Sequence, residues 1–258
     1  MSRTALITGG SRRIGAAIAR HLAREGWRIV IQSRQENEDL SALLSDIETA
    51  GGLAKPVYAD LTSENACKAL INQSADLFDG SLDLLVNNAS VFENDTIEDA
   101  SWAQFDKHMA VHVKAPMTLS QGFAALAQTD AEAADRLIVN IIDQRVWRLN
   151  PHYTTYTLSK SALWTLTQTL AQALAPAVRV NGIGPGPTLP NDFQDPSDFD
   201  GEAANVPLAK ATPPADIAKA ISFLWASKSM TGQMLALDGG QHLAWATPDV
   251  LSGGAAGN

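Results

Sequence analysis

The chain of 258 residues contains a single cysteine, Cys67, so an intramolecular disulfide framework and a zinc site built on several thiolates are excluded. Aromatic residues are few, at 6%, and basic side chains are outnumbered, with 19 Lys and Arg against 28 Asp and Glu. The resulting formal charge of −9 leaves no general basic stripe of the kind nucleic-acid binding needs. No apolar run approaches the ~20 residues of a membrane span. Met1 leads into strand-like sequence without a signal-peptide pattern. The five histidines show no metal-ligand spacing beyond the weak pair His108 and His112. These absences lead to the expectation of a soluble, cytoplasmic protein with no metal, membrane or nucleic-acid partner. The acidity describes solubility and names no partner.

What is present is an alternation of strand and helix signals. Apolar runs at Thr4–Thr8, Trp27–Ile31, Leu53–Tyr58, Leu82–Val86, Arg136–Ile142, Val178–Ile183 and Met234–Leu237 read as strands. Between them, Ile14–Glu25, Glu36–Ala50, Glu64–Phe78, Ser101–Gln128, Thr155–Leu174 and Pro214–Ala226 read as helices. Gly26 and Gly51-Gly52 are stop signals, Ser101 is an N-cap, and Pro116 should kink the long helix it interrupts. Continuous apolar strands joined by helices of crossover length give a parallel sheet covered on both faces. The expected fold class is α/β, a doubly wound Rossmann-type sheet of about seven strands in one domain over residues 1–247. Thr188–Lys210, rich in Pro, Asp and Asn, is too long for a plain connector and suits a substrate lid. Its acidic Asp192–Glu202 stretch reads as a solvated loop, and Pro248–Asn258 as a frayed tail.

The chemistry gathers at strand ends. Thr8-Gly9-Gly10-Ser11-Arg12-Arg13-Ile14-Gly15 joins the first strand to the first helix. There glycines admit a pyrophosphate to the backbone, and the helix N-terminus offers free N–H groups. The end of the second strand, where an acid would hold a free ribose 2′-hydroxyl, reads Gln32-Ser33-Arg34. With Arg12 and Arg34 able to meet a 2′-phosphate, the expected cofactor is NADPH. Tyr156-Thr157-Leu158-Ser159-Lys160 places a phenol and an ammonium one helical turn apart, where the cation would favour phenolate character.

With Asn87-Asn88-Ala89, Pro185-Gly186 and Asp238-Gly239-Gly240 added, the chain resembles the short-chain dehydrogenase/reductase family from Thr4 to about Leu243. The resemblance implies Tyr156 and Lys160 as catalytic residues, with Lys160 also on the nicotinamide ribose. It implies cofactor contacts at Gly9, Ser11, Arg12, Arg13, Ile14, Gly15, Ser33, Arg34, Asp60, Leu61, Asn87, Ala89, Pro185, Gly186 and Thr188. It also implies a homotetramer with the Ser101–Gln128 and Thr155–Leu174 helices between subunits.

One departure from the pattern is informative. Most members carry a serine thirteen residues before the tyrosine, and here that residue is Asp143. An ionised carboxylate is acceptor-only and opposes an oxyanion, whereas a carboxyl beside a phenol suits proton delivery to the nitrogen of a C=N bond. Together with Arg13, Ser90 and Phe92, this looks like the pteridine reductases and bacterial dihydromonapterin reductases. That subgroup implies a pterin or dihydrofolate-like small-molecule substrate touched by Arg13, Ser90, Phe92 and Tyr156, with Asp143, Tyr156 and Lys160 catalytic. The alternatives are a carbonyl reductase, a non-catalytic NADPH-binding sensor, and an Asp143 that only caps a turn. His112 stands where many members have an asparagine that supports a water-linked proton path; it reads as a substitute relay or, by base rates, as a hydrogen-bonded structural residue, and Cys67 reads as a packed thiol. Trp147 and His152 lie on the loop between Asp143 and Tyr156, within possible reach of substrate.

Overall fold

The computed structural model describes residues 3–78, 80–129, 135–190 and 195–245. Its strands are β1 (Thr4–Ile7), β2 (Arg28–Ser33), β3 (Leu53–Tyr58), β4 (Leu84–Asn87), β5 (Arg136–Ile141), β6 (Val178–Pro185) and β7 (Met234–Leu237). They form one sheet in the order β3-β2-β1-β4-β5-β6-β7, and every pairing is parallel. Side chains alternate across a strand, which is why β1 serves two cores. Ala5 and Ile7 pack with Ile18, Leu22, Leu43 and Ile221 on one face. Leu6 joins Leu70, Ile71, Phe123 and Ile138 on the other. β3 is an edge strand, so it tolerates Pro56 and leaves Leu53 and Tyr58 exposed.

The helices are α1 (Arg13–Arg24), α2 (Glu38–Thr49), α3 (Glu64–Asp76), α4 (Trp102–Met109), α5 (Ala115–Thr129), α6 (Thr154–Leu174), α7 (Pro196–Ala204) and α8 (Pro214–Ala226). Side-chain caps at Asn37, Ser63 and Ser101 start α2, α3 and α4, the last as the sequence suggests. Two sequence expectations need correction. Instead of a kinked helix through Pro116, a π-turn over Ala110–Lys114 separates α4 from α5. Pro116 has no N–H for the carbonyl four residues back, and a widened turn absorbs that loss. The Asp192–Glu202 stretch is also more than a solvated loop, since α7 begins within it at Pro196 and runs on to Ala204. Asp195 caps that helix by accepting from Ser197 N–H and Oγ–H, and Pro196 stands in its first turn. Residues 191–194 of the lid segment and the Pro248–Asn258 tail lie outside the described residues.

The sheet order reverses direction between β1 and β4, so the loops leaving their carboxyl ends diverge and open a crevice there. Among the described residues, no helix is long and apolar enough to cross a membrane. The Ser101 cap carries a measurable share of local stability. Ser101→Ala should cost about 1 kcal/mol in urea unfolding, and an unchanged midpoint would show that the cap is energetically silent.

Candidate active site

A cleft of about 950 Å³ lies along the carboxyl ends of the strands. The Thr8–Gly15 turn forms its floor. Gly9 has φ +58°, and a Cβ there would lie 2.8 Å from Ala89 Cα; one on Gly15 would lie 2.5 Å from Gly9 O. Both positions need glycine to keep the backbone this close. The turn is held from two sides. Gln32 Oε1 accepts from Gly9 N–H at 2.8 Å while its Nε2 donates to Ala59 O at 2.8 Å. Asn88 Nδ2 donates to the carbonyls of Thr8 and Gly9 at 2.9 and 3.0 Å.

Ser11, Arg12, Arg13, Ile14, Ser33, Arg34, Asp60 and Leu61 line this end of the cleft with the glycines. Asp60 accepts from Thr62 N–H and Oγ–H; these bonds, with Arg34 nearby, hold its carboxyl below the usual range. Ala89, Pro185, Gly186 and Thr188 line the middle. Asn87 does not line the cleft. Its Nδ2 donates 2.8 Å to Asn140 Oδ1 inside the sheet, and the neighbouring Asn88 reaches the turn in its place. Arg13, at φ +54°, donates to the carbonyls of Pro190 and Leu189 at 2.6 and 3.2 Å, which fastens the turn to the start of the lid segment.

Asp143, Tyr156 and Lys160 converge at the inner wall. Tyr156 Oη donates to Asp143 Oδ2 at 2.9 Å. Asp143 also caps the short 3₁₀ turn Gln144–Val146, its Oδ1 accepting from Arg145 N–H at 2.8 Å. The capping reading and the phenol-partner reading therefore both hold, one for each oxygen. Lys160 Nζ donates to Ile141 O at 2.9 Å, with the ammonium 5.6 Å from the Tyr156 ring centre.

This geometry corrects the expected tuning of the phenol. Burial and the Asp143 charge push Tyr156 well above the ordinary phenol range, against smaller lowering influences from Arg145 and Ser90. Tyr156 is thus held as a neutral phenol that donates to Asp143. Burial also holds the Lys160 ammonium down to about 8, with Asp143 opposing.

Ser90 and Phe92 face the cleft from the loop after β4. The Phe92 ring stacks on Tyr153 at 4.5 Å and meets the Tyr156 ring edge-on at 4.9 Å. The Arg145 guanidinium lies 5.5 and 5.1 Å from the Phe92 and Tyr153 ring centres and pairs with Asp143 Oδ2 at 3.2 Å. Tyr153 and Arg145 are not anticipated from sequence. Tyr153 reaches Phe92 from a left-handed backbone, φ +58°, and no residue pattern signals that. Trp147 and His152 do not line the cleft. Trp147 packs edge-on against Trp164 and His242 instead.

The depressed Lys160 value has a testable sign. Between about 8 and the unfolded value near 10.5, the unfolded chain binds the extra proton, so this residue makes stability rise with pH across that window. Urea unfolding at pH 8 and pH 10 should show that gain for the wild type and a smaller one for Lys160→Met. Equal pH slopes in the two proteins would contradict the buried ammonium.

Comparison with known proteins places this architecture. A family model described as enoyl-(acyl carrier protein) reductase matches residues 9–242. The dihydromonapterin reductase of Klebsiella pneumoniae is 30% identical, over 93% of this chain and 97% of that protein. The 3beta-hydroxysteroid dehydrogenase 1 of Eggerthella lenta is also 30% identical, over 93% and 94%. Among solved structures, FolM alternative dihydrofolate reductase 1 from Brucella canis, complexed with NADP, superposes with a TM-score of 0.90. It is 46% identical, over 96% of this chain and 97% of that one. By the matched range and these identities, the chain belongs to the short-chain dehydrogenase/reductase family of oxidoreductases.

Proposed function

We propose that this oxidoreductase uses NADPH to reduce a C=N bond in the pyrazine ring of a pterin or dihydrofolate-like substrate. The observation that carries the reading is the 2.9 Å bond from Tyr156 Oη to Asp143 Oδ2. A carboxylate beside the proton donor favours a nitrogen gaining positive charge and disfavours a ketone oxygen gaining negative charge. The names of the dihydromonapterin and dihydrofolate reductase relatives, one complexed with NADP, support the same choice.

The cradle that side chains on Gly9 and Gly15 would fill fits a pyrophosphate on the N-terminus of α1. Ser11, Arg13 and Ile14 would hold it there. Arg12, Ser33 and Arg34 would receive a 2′-phosphate, with no carboxylate at the end of β2 to repel it. Asp60 and Leu61 would flank the adenine, and Ala89, Lys160, Pro185, Gly186 and Thr188 the nicotinamide side. The bound nicotinamide supplies the hydride.

Tyr156 gives its phenolic proton to the substrate nitrogen, and Asp143 aligns that phenol through Oδ2. Lys160, anchored on Ile141 O, places its positive charge beside the ring as the phenol loses its proton. Phe92 and Tyr153 form a two-ring wall for a flat heterocycle. Ser90 and Arg13 orient its edges. Exposed Trp102 on α4 and Leu158 on α6 support subunit contacts through these helices in a homotetramer.

NADPH oxidation with dihydrobiopterin, dihydromonapterin and dihydrofolate is the direct assay. Turnover of at least one is expected, lowered about 100-fold in Asp143→Ser. Brisk reduction of ordinary ketones with no turnover of these three would overturn the reading. Separately, Gly15→Ala should weaken NADPH binding more than about tenfold in a fluorescence titration while the fold persists. Undiminished affinity would place the pyrophosphate elsewhere.

A further inference from the structure

His112 lies in the π-turn and is 1% exposed. Its ring joins two segments that carry the site. Nε2 lies 3.1 Å from Val91 N, and an amide N–H can only donate, so Nε2 accepts. The Ser90 hydroxyl lies 2.9 Å from the same nitrogen. On the other side, Nδ1 is 2.7 Å from Ser159 Oγ, whose own proton goes to Tyr156 O at 2.6 Å. Nδ1 must therefore donate, which defines a neutral imidazole with its proton on Nδ1.

We propose that His112 is a positioning residue that splices the substrate-facing loop Ser90–Phe92 to the catalytic helix α6, setting Phe92 against Tyr156. The π-turn supplies the placement. The His112 ring stands perpendicular to Tyr156 at 5.4 Å, while Phe92 meets Tyr156 from its own side at 4.9 Å. A single ring thus fixes both the loop that would orient the substrate and the backbone carbonyl of the proton donor.

The groups facing His112 agree with a neutral ring. Burial, then Lys160 on α6 and His108 on α4, push its protonation well below the ordinary imidazole range. Tyr156 beside it is neutral, Ser90 and Ser159 are uncharged, and the carboxylates Glu93 and Asp95 act on His108. Protonation would place a second donor against Val91 N–H and release the loop. The inference rests on the proposed pterin reduction only for its kinetic arm.

The first arm needs no substrate. In ¹⁵N-histidine-labelled protein, two-bond ¹H–¹⁵N spectra, with His112→Asn to identify the signal, should show a neutral Nδ1–H ring from pH 8 to pH 5.5. An Nε2–H ring, or protonation near the ordinary value of about 6.5, overturns the proposal. The second arm compares His112→Phe, which keeps ring volume, with His112→Asn, which keeps a donor and an acceptor. The Phe variant should lose Val91 amide protection and raise KM for the dihydropterin about tenfold, the cost of about one hydrogen bond. NADPH affinity should stay within about twofold of wild type, and His112→Asn should recover part of the loss. An unchanged KM, NADPH affinity falling in step with it, or an Asn variant no better than Phe would each overturn the clamp. If the wild type turns over no dihydropterin, the proposed reaction fails, and ring tautomer with Val91 protection still decides the clamp.

Discussion

Every part of the site depends on all seven strands running the same way. A parallel sheet delivers all its carboxyl ends to one edge, so loops far apart in sequence emerge side by side. The glycine turn after β1, Gln32 at the end of β2, Asn88 after β4, Asp143 after β5 and Gly186 after β6 meet for this reason alone. The reversal of strand order between β1 and β4 leaves the gap they enclose. Register sets their level: Val86 pairs with Ile7 and with Val139, so the glycine turn and the segment that leads to Asp143 leave the sheet side by side.

Within that frame, local charge runs against global charge. The protein is acidic overall, yet Arg12, Arg13 and Arg34 gather at the end of the cleft proposed for phosphate. At the inner wall, the buried charges are matched by neighbours. Asp143 meets Arg145 and the Tyr156 phenol, and Lys160 Nζ donates a hydrogen bond to the Ile141 carbonyl. Burial still raises the phenol and lowers the ammonium, because desolvation acts on whichever form is charged. Both shifts favour the neutral phenol of Tyr156. Histidines on the π-turn and α4 supply uncharged polarity around that phenol.

Much of the fold is legible from residue order. β3, α8 and β7 begin and end where apolar periodicity and flanking breakers place them, and Ser101 caps α4 as its position suggests. α7 was open to the same logic, since Asp195-Pro196 is a cap followed by a first-turn proline, but the acidity of the segment favours a loop reading. The π-turn is less accessible. Pro116 signals a disturbance, and whether the helix bends or widens depends on what packs against His108 and His112.

The site divides in the same way. Short motifs within one turn or loop identify the glycine cradle, the Tyr156–Lys160 pair and Asp143, because their chemistry is set by spacing along the chain. Asn87 misleads because two adjacent asparagines are equivalent in sequence, and only strand pleat sends one into the sheet and the other to the turn. Tyr153 and Arg145 depend on a left-handed residue and a 3₁₀ turn whose side chains meet Phe92 across a long loop. By itself the sequence determined the strand alternation, the parallel sheet and the chemical groups available for proton transfer, since local propensity and covalent spacing suffice for those. Tertiary structure alone decided that Tyr156 rests neutral on Asp143, that Lys160 is desolvated, and which side of each loop faces the cleft. Burial and through-space charge have no signature in residue order.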